Sequence, residues 1–249
     1  MNHSIITEIK KENDGVFTIS FNSDIKASRG QFLMVWVPGG KEVPMSLSRI
    51  GNPFSITFRV YGETTRSLSM MKKGERIFFR GPYGNSYPQP KGKVAYVAGG
   101  TGLASLKSMI DEFRGDVYVG ARSRNELFFL KDDFRVATDD GSLGMKGTVV
   151  DLFLPFANDY DYIYICGPEA MVKSLIDRID QGVRAKIFIS LERLMKCGIG
   201  ICDSCSINGF RVCRDGTVIS MEELLKLDEF GVTRRGESGK LELIINGKR

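Results

Sequence analysis

Residues 93–113 read KVAYVAGGTGLASLKSMIDEF. The apolar stretch Val94–Ala98 runs straight into Gly99 and Gly100, and apolar residues at helical spacing begin after Thr101. This is a strand, a glycine turn and a helix in immediate succession, the unit from which parallel sheets are built. Gly99, Gly100 and Gly102 let backbone approach a ligand closely. The N–H groups and positive dipole end of a helix starting near Thr101 suit a pyrophosphate. The order is not G-x-G-x-x-G, so taken alone the turn reads equally well as a tight connection without a ligand.

The alternation continues downstream. Asp116-VYVGAR reads as a second strand, Glu126-LFFLKDDF as a short helix and Arg135-VATDDG as a third strand. Asp161-YIYICG is a further strand and Pro168-EAMVKSLIDRI a helix, with proline where a first helical turn tolerates it. Lys186-IFISLE reads as the last strand. The turn Cys166-Gly167-Pro168-Glu169 repeats the geometry of the first. Ligands of open α/β sheets bind at the carboxyl ends of the strands, and both turns fall on that edge. Cys166 is either an inert buried thiol or a neighbour of a redox-active ring.

Upstream, Gly15-VFTISFN, Gln31-FLMVWV and Ser55-ITFRVYG are β-rich and punctuated by Gly and Pro, which suggests an antiparallel barrel. Hydroxyls of Ser46 and Ser48 could bond a polar heterocycle, and Arg59 with Thr64 and Thr65 could meet phosphates. Each is as readily an ordinary turn or strand residue. The Gly- and Pro-dense stretch Gly81-PYGNSYPQPKGK marks a boundary. Three zones result: a barrel over 1–91, an α/β domain over 92–190 and a small domain over 191–249. The fold expected is therefore multi-domain, β followed by α/β.

The third zone holds Cys197, Cys202, Cys205 and Cys213, separated by four, two and seven residues. The first three match the C-x4-C-x2-C run of plant-type [2Fe–2S] proteins. Gly198 and Gly200 free the loop so that N–H groups can point at sulfur, which raises a cluster's potential. Four thiolates also suit tetrahedral zinc, but zinc sites usually come as two close knuckles and only one pair here is that close. Met221-EELLKL reads as a short helix ahead of a basic, polar tail.

A chain of 249 residues with 42% apolar and 26% charged residues is an ordinary globular protein of two or three domains. A net charge of +5 does not separate anionic cofactors from nucleic acid. MNHSIITEIKKEND has no apolar core, so no signal peptide is expected. No run approaches the ~20 apolar residues of a membrane helix. Clustered cysteines point to metal ligation in a reducing cytoplasm. His3, the one histidine, lies near an end expected to fray, which argues against histidine-based catalysis.

Together, P-M-S-L-S at Pro44–Ser48, G-P-Y-G-N at Gly81–Asn85, G-G-T-G at Gly99–Gly102 and C-G-P-E-A-M at Cys166–Met171 resemble the ferredoxin–NADP reductase superfamily. With the cysteine run, the chain resembles the electron-transfer subunits of class 1B dihydroorotate dehydrogenases. Gln31-FLMVWVPG, Ser190-LERLMKCGIGIC, Val212-CRDG and Glu229-FGVTRRGESGK resemble the archaeal branch. The resemblance spans essentially the whole chain. It implies FAD on the barrel, NAD on the α/β domain and a [2Fe–2S] cluster on Cys197, Cys202, Cys205 and Cys213. Val43-Pro44-Met45-Ser46 matches the R-x-[FYI]-S flavin motif, which would set Ser46 near flavin N5. Phe58, Arg59 and Val60 would line the flavin and ribityl chain, and Thr64 and Thr65 would hold the diphosphate. Gly99, Gly100, Thr101 and Gly102 with Cys166, Gly167, Pro168 and Glu169 would form the nicotinamide-nucleotide site, Cys166 beside the nicotinamide. Ser46 and Cys166 are thus the redox-site candidates.

Two positions depart from the family. Val43 stands where it has arginine, so a contact to the FAD phosphates is missing unless Lys41, Arg59 or Arg66 substitutes. Thr64 replaces a glycine and crowds the phosphate loop. Arg122 and Arg124 follow the second strand, where NADP enzymes read a 2′-phosphate, or are solvated charges. The resemblance implies electron transfer, in pyrimidine biosynthesis, from the FMN of a dihydroorotate-oxidising partner to NAD+. It implies a cytoplasmic heterotetramer without nucleic acid or membrane. The rival readings are an NAD(P)H reductase subunit of a hydrogenase or bifurcating transhydrogenase, and a zinc-binding interaction module.

Overall fold

The computed structural model describes residues 1–180 and 182–244. Its first part is a closed antiparallel barrel of β1 (Asn2–Lys11), β2 (Val16–Phe21), β3 (Phe32–Trp36), β4 (Val43–Arg49), β5 (Phe54–Arg59) and β6 (Arg76–Tyr83). The strand order is β1-β2-β5-β4-β3-β6. Alternation along each strand fills the interior: Phe54, Ile56 and Phe58 from β5 meet Met45 and Leu47 from β4, with Phe21, Leu33 and Phe79. Helix α1 (Glu63–Met70) carries the chain from β5 to β6 and adds Leu68 to this core. The N-terminus does not form the frayed end expected from sequence. Asn2–Ile5 pair with Arg76–Phe79, and a closed barrel hydrogen-bonds its first strand on both sides.

The second part is a seven-stranded sheet. In chain order it contains β7 (Val94–Gly99), α2 (Gly102–Ile110), β8 (Asp116–Ala121), β9 (Arg135–Thr138), β10 (Met145–Lys146), α3 (Val149–Phe153), β11 (Tyr162–Cys166), α4 (Glu169–Arg178) and β12 (Lys186–Ser190). The sheet order is β10-β9-β8-β7-β11-β12-β15, where β15 (Val218–Ser220) comes from the cysteine-bearing segment. The helix expected from Glu126 is absent. One 3-10 turn at Arg124–Glu126 is followed by Phe128 turning into the core and Phe129 at a φ of 57°, a left-handed value no helix continues through. Asn13, on the turn between β1 and β2, donates to the Leu127 carbonyl at 3.3 Å and holds this stretch in place.

The cysteine-bearing segment does not stand apart from the sheet. It forms a hairpin, β13 (Ser206–Ile207) and β14 (Phe210–Arg211), then the short helix α5 (Val212–Asp215). Strand β15 then runs antiparallel to β12, so Lys186–Ser190 is not the last strand of the sheet as expected from sequence. Helix α6 (Met221–Leu224) and a hairpin of β16 (Thr233–Arg235) and β17 (Leu241–Leu243) follow. Val212, Cys213, Ile219 and Leu224 share one buried core with Phe32 and Met34 of the barrel and Ile163 and Ile165 of β11.

One asparagine ties the three parts together. Asn85, just past β6, accepts from Val218 N at 2.8 Å and donates to Val218 O at 2.6 Å. Thr217 Oγ1 donates to the Gly30 carbonyl at 3.0 Å, and Leu191 N donates to Thr217 O at 2.7 Å. Replacing Asn85 with alanine strips both partners from the Val218 peptide groups. We expect Asn85→Ala to lower unfolding stability by about 1–3 kcal/mol, read by chemical denaturation. Unchanged stability would show that other groups satisfy this peptide.

Candidate functional site

The cysteine loop is built by backbone that only glycine or a polar residue adopts readily. Gly198, Gly200 and Asp203 have φ of 73°, 80° and 61°. A Cβ at Gly198 would lie 2.9 Å from Met34 Cγ, and one at Gly200 2.7 Å from Arg214 Cδ. The loop can therefore fold tightly, and it aims N–H groups at sulfur. Ile199 N and Ile201 N donate to Cys197 Sγ at 3.5 and 3.4 Å, and Gly200 N donates to Cys213 Sγ at 3.1 Å. Cys213 N donates to Cys205 Sγ at 3.4 Å.

Backbone N–H groups tie the cysteines together: Cys213 N reaches Cys205 Sγ, and Gly200, between Cys197 and Cys202, reaches Cys213 Sγ. Four thiols on one segment fit a two-iron cluster, which takes four cysteine ligands. Burial pushes the Cys197 thiol up, but backbone N–H groups of Ile199, Cys202 and Ile201 outweigh it and hold it at about 6. Burial, then the neighbouring Cys205, pushes Cys213 up to about 12. Cys205 and Cys213 face the core, while Cys202 is exposed, beside Ile199 and Ile201 at 46% and 77% exposure.

The two glycine turns meet at the point where the sheet order reverses. The chain leaves β7 for β8 on one side, while β11 pairs with β7 on the other, so the crevice between β7 and β11 is the topological switch point. A Cβ on Gly167 would lie 3.0 Å from Gly99 Cα, and one on Gly102 only 2.1 Å from the Cys166 carbonyl oxygen. The glycines let the turns touch and let α2 start directly over the end of β11. Neither α2 nor α4 carries a side-chain cap at its N-terminus. Two uncapped helix starts at one crevice suit an anionic ligand. Pro168 is the residue before α4 rather than part of its first turn.

Two side chains of the expected nucleotide and redox site are engaged or enclosed by the protein itself. The Glu169 carboxylate, expected at the nucleotide, is taken by Arg193 Nη2 at 2.7 Å and Gly231 N at 2.5 Å. Cys166 is 0% exposed. Burial, with Glu192 adding to it, pushes its thiol up to about 12, so it is neutral and shielded. Tyr87 is also buried, within the electrostatic reach of Cys166 and Glu192. Sequence reading passed over Glu192, although its place just beyond the end of β12, on the ligand edge, was a usable signal. Arg122 is ion-paired with Glu126, and Arg124 N donates to Ser142 Oγ at 2.8 Å.

On the barrel, Ser46 is half-buried on β4, whereas Met45 and Phe58 point inward. Phe58 stacks on Phe17 with ring centroids 6.4 Å apart, so its ring is not available to a ligand on the outer face. The hydroxyls expected at the diphosphate are also occupied. Thr64 Oγ1 donates to Lys41 O at 2.9 Å, and Thr65 Oγ1 accepts from Tyr61 N at 2.9 Å and Gly62 N at 3.0 Å. They shape the loop leading into α1 rather than projecting from it. Pro44 and Val60 are partly buried at the ends of β4 and β5, and Arg59 lies close enough to Glu126 to help hold that carboxylate down. Lys41 Nζ is paired with Glu237 at 2.8 Å.

The segment 192–225 matches the family model described as the iron–sulfur cluster binding domain of dihydroorotate dehydrogenase B. A Thermoplasma volcanium protein named "Probable dihydroorotate dehydrogenase B (NAD(+)), electron transfer subunit" is 44% identical over 94% of this chain and 95% of its own length. The proteins of that name from Thermoplasma acidophilum and Archaeoglobus fulgidus are 39% and 40% identical over 96% and 90% of this chain. Among solved structures, one described as an NADH-dependent reduced ferredoxin–NADP oxidoreductase, in work on flavin-based electron bifurcation, superposes with a TM-score of 0.76. It is 27% identical and covers 92% of this chain and 94% of its own. The ferredoxin reductase of carbazole 1,9a-dioxygenase shares the fold, with a TM-score of 0.63 at 19% identity over 75% of this chain and 68% of its own. With barrel, switch-point sheet and clustered cysteines in one chain that the three archaeal proteins match over 90–96% of its length, the protein belongs to the family of dihydroorotate dehydrogenase B (NAD+) electron-transfer subunits.

Proposed function

We propose that this chain carries electrons from the FMN of a dihydroorotate-oxidising catalytic subunit to NAD+, through a [2Fe–2S] cluster and FAD, in pyrimidine biosynthesis. The observation that carries the reading is the loop that aims backbone N–H groups at the sulfurs of Cys197, Cys205 and Cys213 inside the segment the family model matches. When bound, the cluster carries single electrons and FAD converts them to the pair that NAD+ takes as hydride. The chain's own residues do the positioning. Cys197, Cys202, Cys205 and Cys213 hold the two irons, and the N–H groups of Ile199, Gly200 and Ile201 stabilise negative charge on sulfur.

Val43, Pro44 and Ser46 of β4 with Arg59 would form the flavin face, where the Ser46 hydroxyl could hydrogen-bond the ring. Gly99–Gly102 and the Cys166–Pro168 backbone would receive the nicotinamide nucleotide, with NAD rather than NADP favoured by the names of the archaeal relatives. The exposed Ile199, Ile201 and Cys202 mark the edge facing the partner, with which the chain forms a heterotetramer. Five free cysteines fit a cytoplasmic setting, and no helix among the described residues is long and apolar enough to cross a membrane. The second reading, a reductase subunit of a bifurcating transhydrogenase, draws on the 27% identical structure.

Three measurements test this. Anaerobically purified chain should contain two irons and two acid-labile sulfides with one extractable FAD; zinc without iron would remove the reading in favour of an interaction module. Native purification should recover an FMN-containing partner that oxidises dihydroorotate, whereas a hydrogenase or transhydrogenase partner would establish the second reading. Val43→Arg should tighten FAD binding roughly tenfold, the ~1.5 kcal/mol of one hydrogen bond to a charged group, measured by titrating flavin into apoprotein. No gain would place the FAD phosphates away from β4.

A further inference from the structure

The ion pair of Glu42 and Arg80 lies between the flavin strand and the cluster loop, and neither residue has a part in ligating or binding as derived above. Arg80 is on β6; Glu42 immediately precedes Val43, where β4 begins. The pair is bidentate, with Arg80 Nε to Glu42 Oε1 at 2.8 Å and Nη2 to Oε2 at 2.5 Å. The same Nη2 donates to the carbonyl oxygen of Cys197 at 3.1 Å, and Nη1 donates to Tyr83 Oη at 3.2 Å. The guanidinium also lies over the Tyr83 ring, 5.7 Å from its centroid. Tyr83 and Met34 are in turn the groups against which Gly198 packs. Both charged side chains are about three-quarters buried, at 27% and 21% exposure.

A neutral donor could satisfy the Cys197 carbonyl. A planar guanidinium does more, because it bonds the carboxylate and the carbonyl at once and is charged at every working pH. The pair is therefore a dipole with its positive end on the backbone of a cluster ligand and its negative end at the start of β4. Reduction adds one negative charge to a cluster, and the surrounding charge and hydrogen bonds set how readily that happens. At this burial the interaction is only partly screened.

We propose that Arg80 and Glu42 form a positioning pair that sets the reduction potential of the cluster relative to the flavin and clamps Cys197 to the flavin strand. The inference rests on the reading that Cys197, Cys202, Cys205 and Cys213 hold a two-iron cluster. Its signature is a sign reversal. Glu42→Gln leaves the guanidinium uncompensated and raises the cluster potential; Arg80→Gln leaves the carboxylate uncompensated and lowers it. The double variant falls between them.

The test is a potentiometric titration of the full-length, anaerobically purified chain and its variants, following the reduced cluster by electron paramagnetic resonance. Iron content is measured on each sample. We expect shifts of opposite sign, each about tenfold in the cluster's reduction equilibrium, which is ~59 mV for a one-electron couple. Higher ionic strength should shrink both. If Arg80→Gln does not retain iron, Glu42→Gln decides alone: a rise supports the inference, and an unchanged or lower potential overturns it. Shifts of the same sign, as general loosening of the loop would give, also overturn it. A wild-type chain without iron removes the functional reading and this inference together, whereas a loaded chain with flat potentials overturns the inference alone.

Discussion

The placement of Thr217 and Val218 is the constraint on which the molecule depends. Within two residues the chain meets the barrel at Gly30 and Asn85, extends the sheet along β12, and follows directly on the helix that carries Cys213. Asn85 acts there as a substitute for a neighbouring strand, pairing with both peptide groups of Val218 through one side-chain amide. Such a contact is modest in net energy, on the order of 1 kcal/mol per hydrogen bond, but an unmade one at this depth costs more. The cluster loop thereby becomes part of the shared core instead of a mobile appendage, which electron transfer over a fixed distance requires.

From that anchor the other features follow. The loop between Met195 and Ser206 is pinned at both ends by buried residues, so its own backbone can turn through left-handed values at Gly198, Gly200 and Asp203 and present N–H groups to sulfur. Its near side packs on Met34 and Tyr83 of the barrel, while its far side leaves Ile199, Ile201 and Cys202 in solvent. The C-terminal segment adds a second tie. Glu169, next to the nucleotide turn, is bonded to Arg193 and Gly231, and Arg193 Nη1 also donates to the Thr233 carbonyl at 2.7 Å. The buried pair fixes the segment over the end of α4, and removing one partner would leave the other charge stranded.

Much of the candidate site was legible because its chemistry is written in local spacing. Cys197, Cys202 and Cys205 lie on one loop, and their two- and four-residue gaps limit what they can bind. Gly99–Gly102 and Cys166–Pro168 each sit at a strand end, so reading a strand and the helix after it places both on the carboxyl edge. Where side chains were assigned roles by analogy the outcome was mixed, since a motif does not say which way a residue faces. Phe58 and Met45 obey the two-residue alternation and point into the barrel; Thr64 and Thr65 bond their own loop; Glu169 is drawn to an arginine twenty-four positions away.

The two architectures, the clustering of the cysteines and the edge that carries both glycine turns are written in the sequence, since each depends on periodicity or spacing within short stretches. Only the tertiary structure decided that β1 closes the barrel, that β15 joins the sheet, and that Arg80 and Glu42 stand between the cluster loop and β4. The polar contacts among them join Arg80 to residues 38 and 117 positions away, and no periodicity marks the partners. They form where burial leaves a peptide group or a charge in need of a partner, a condition that exists only once the chain has folded.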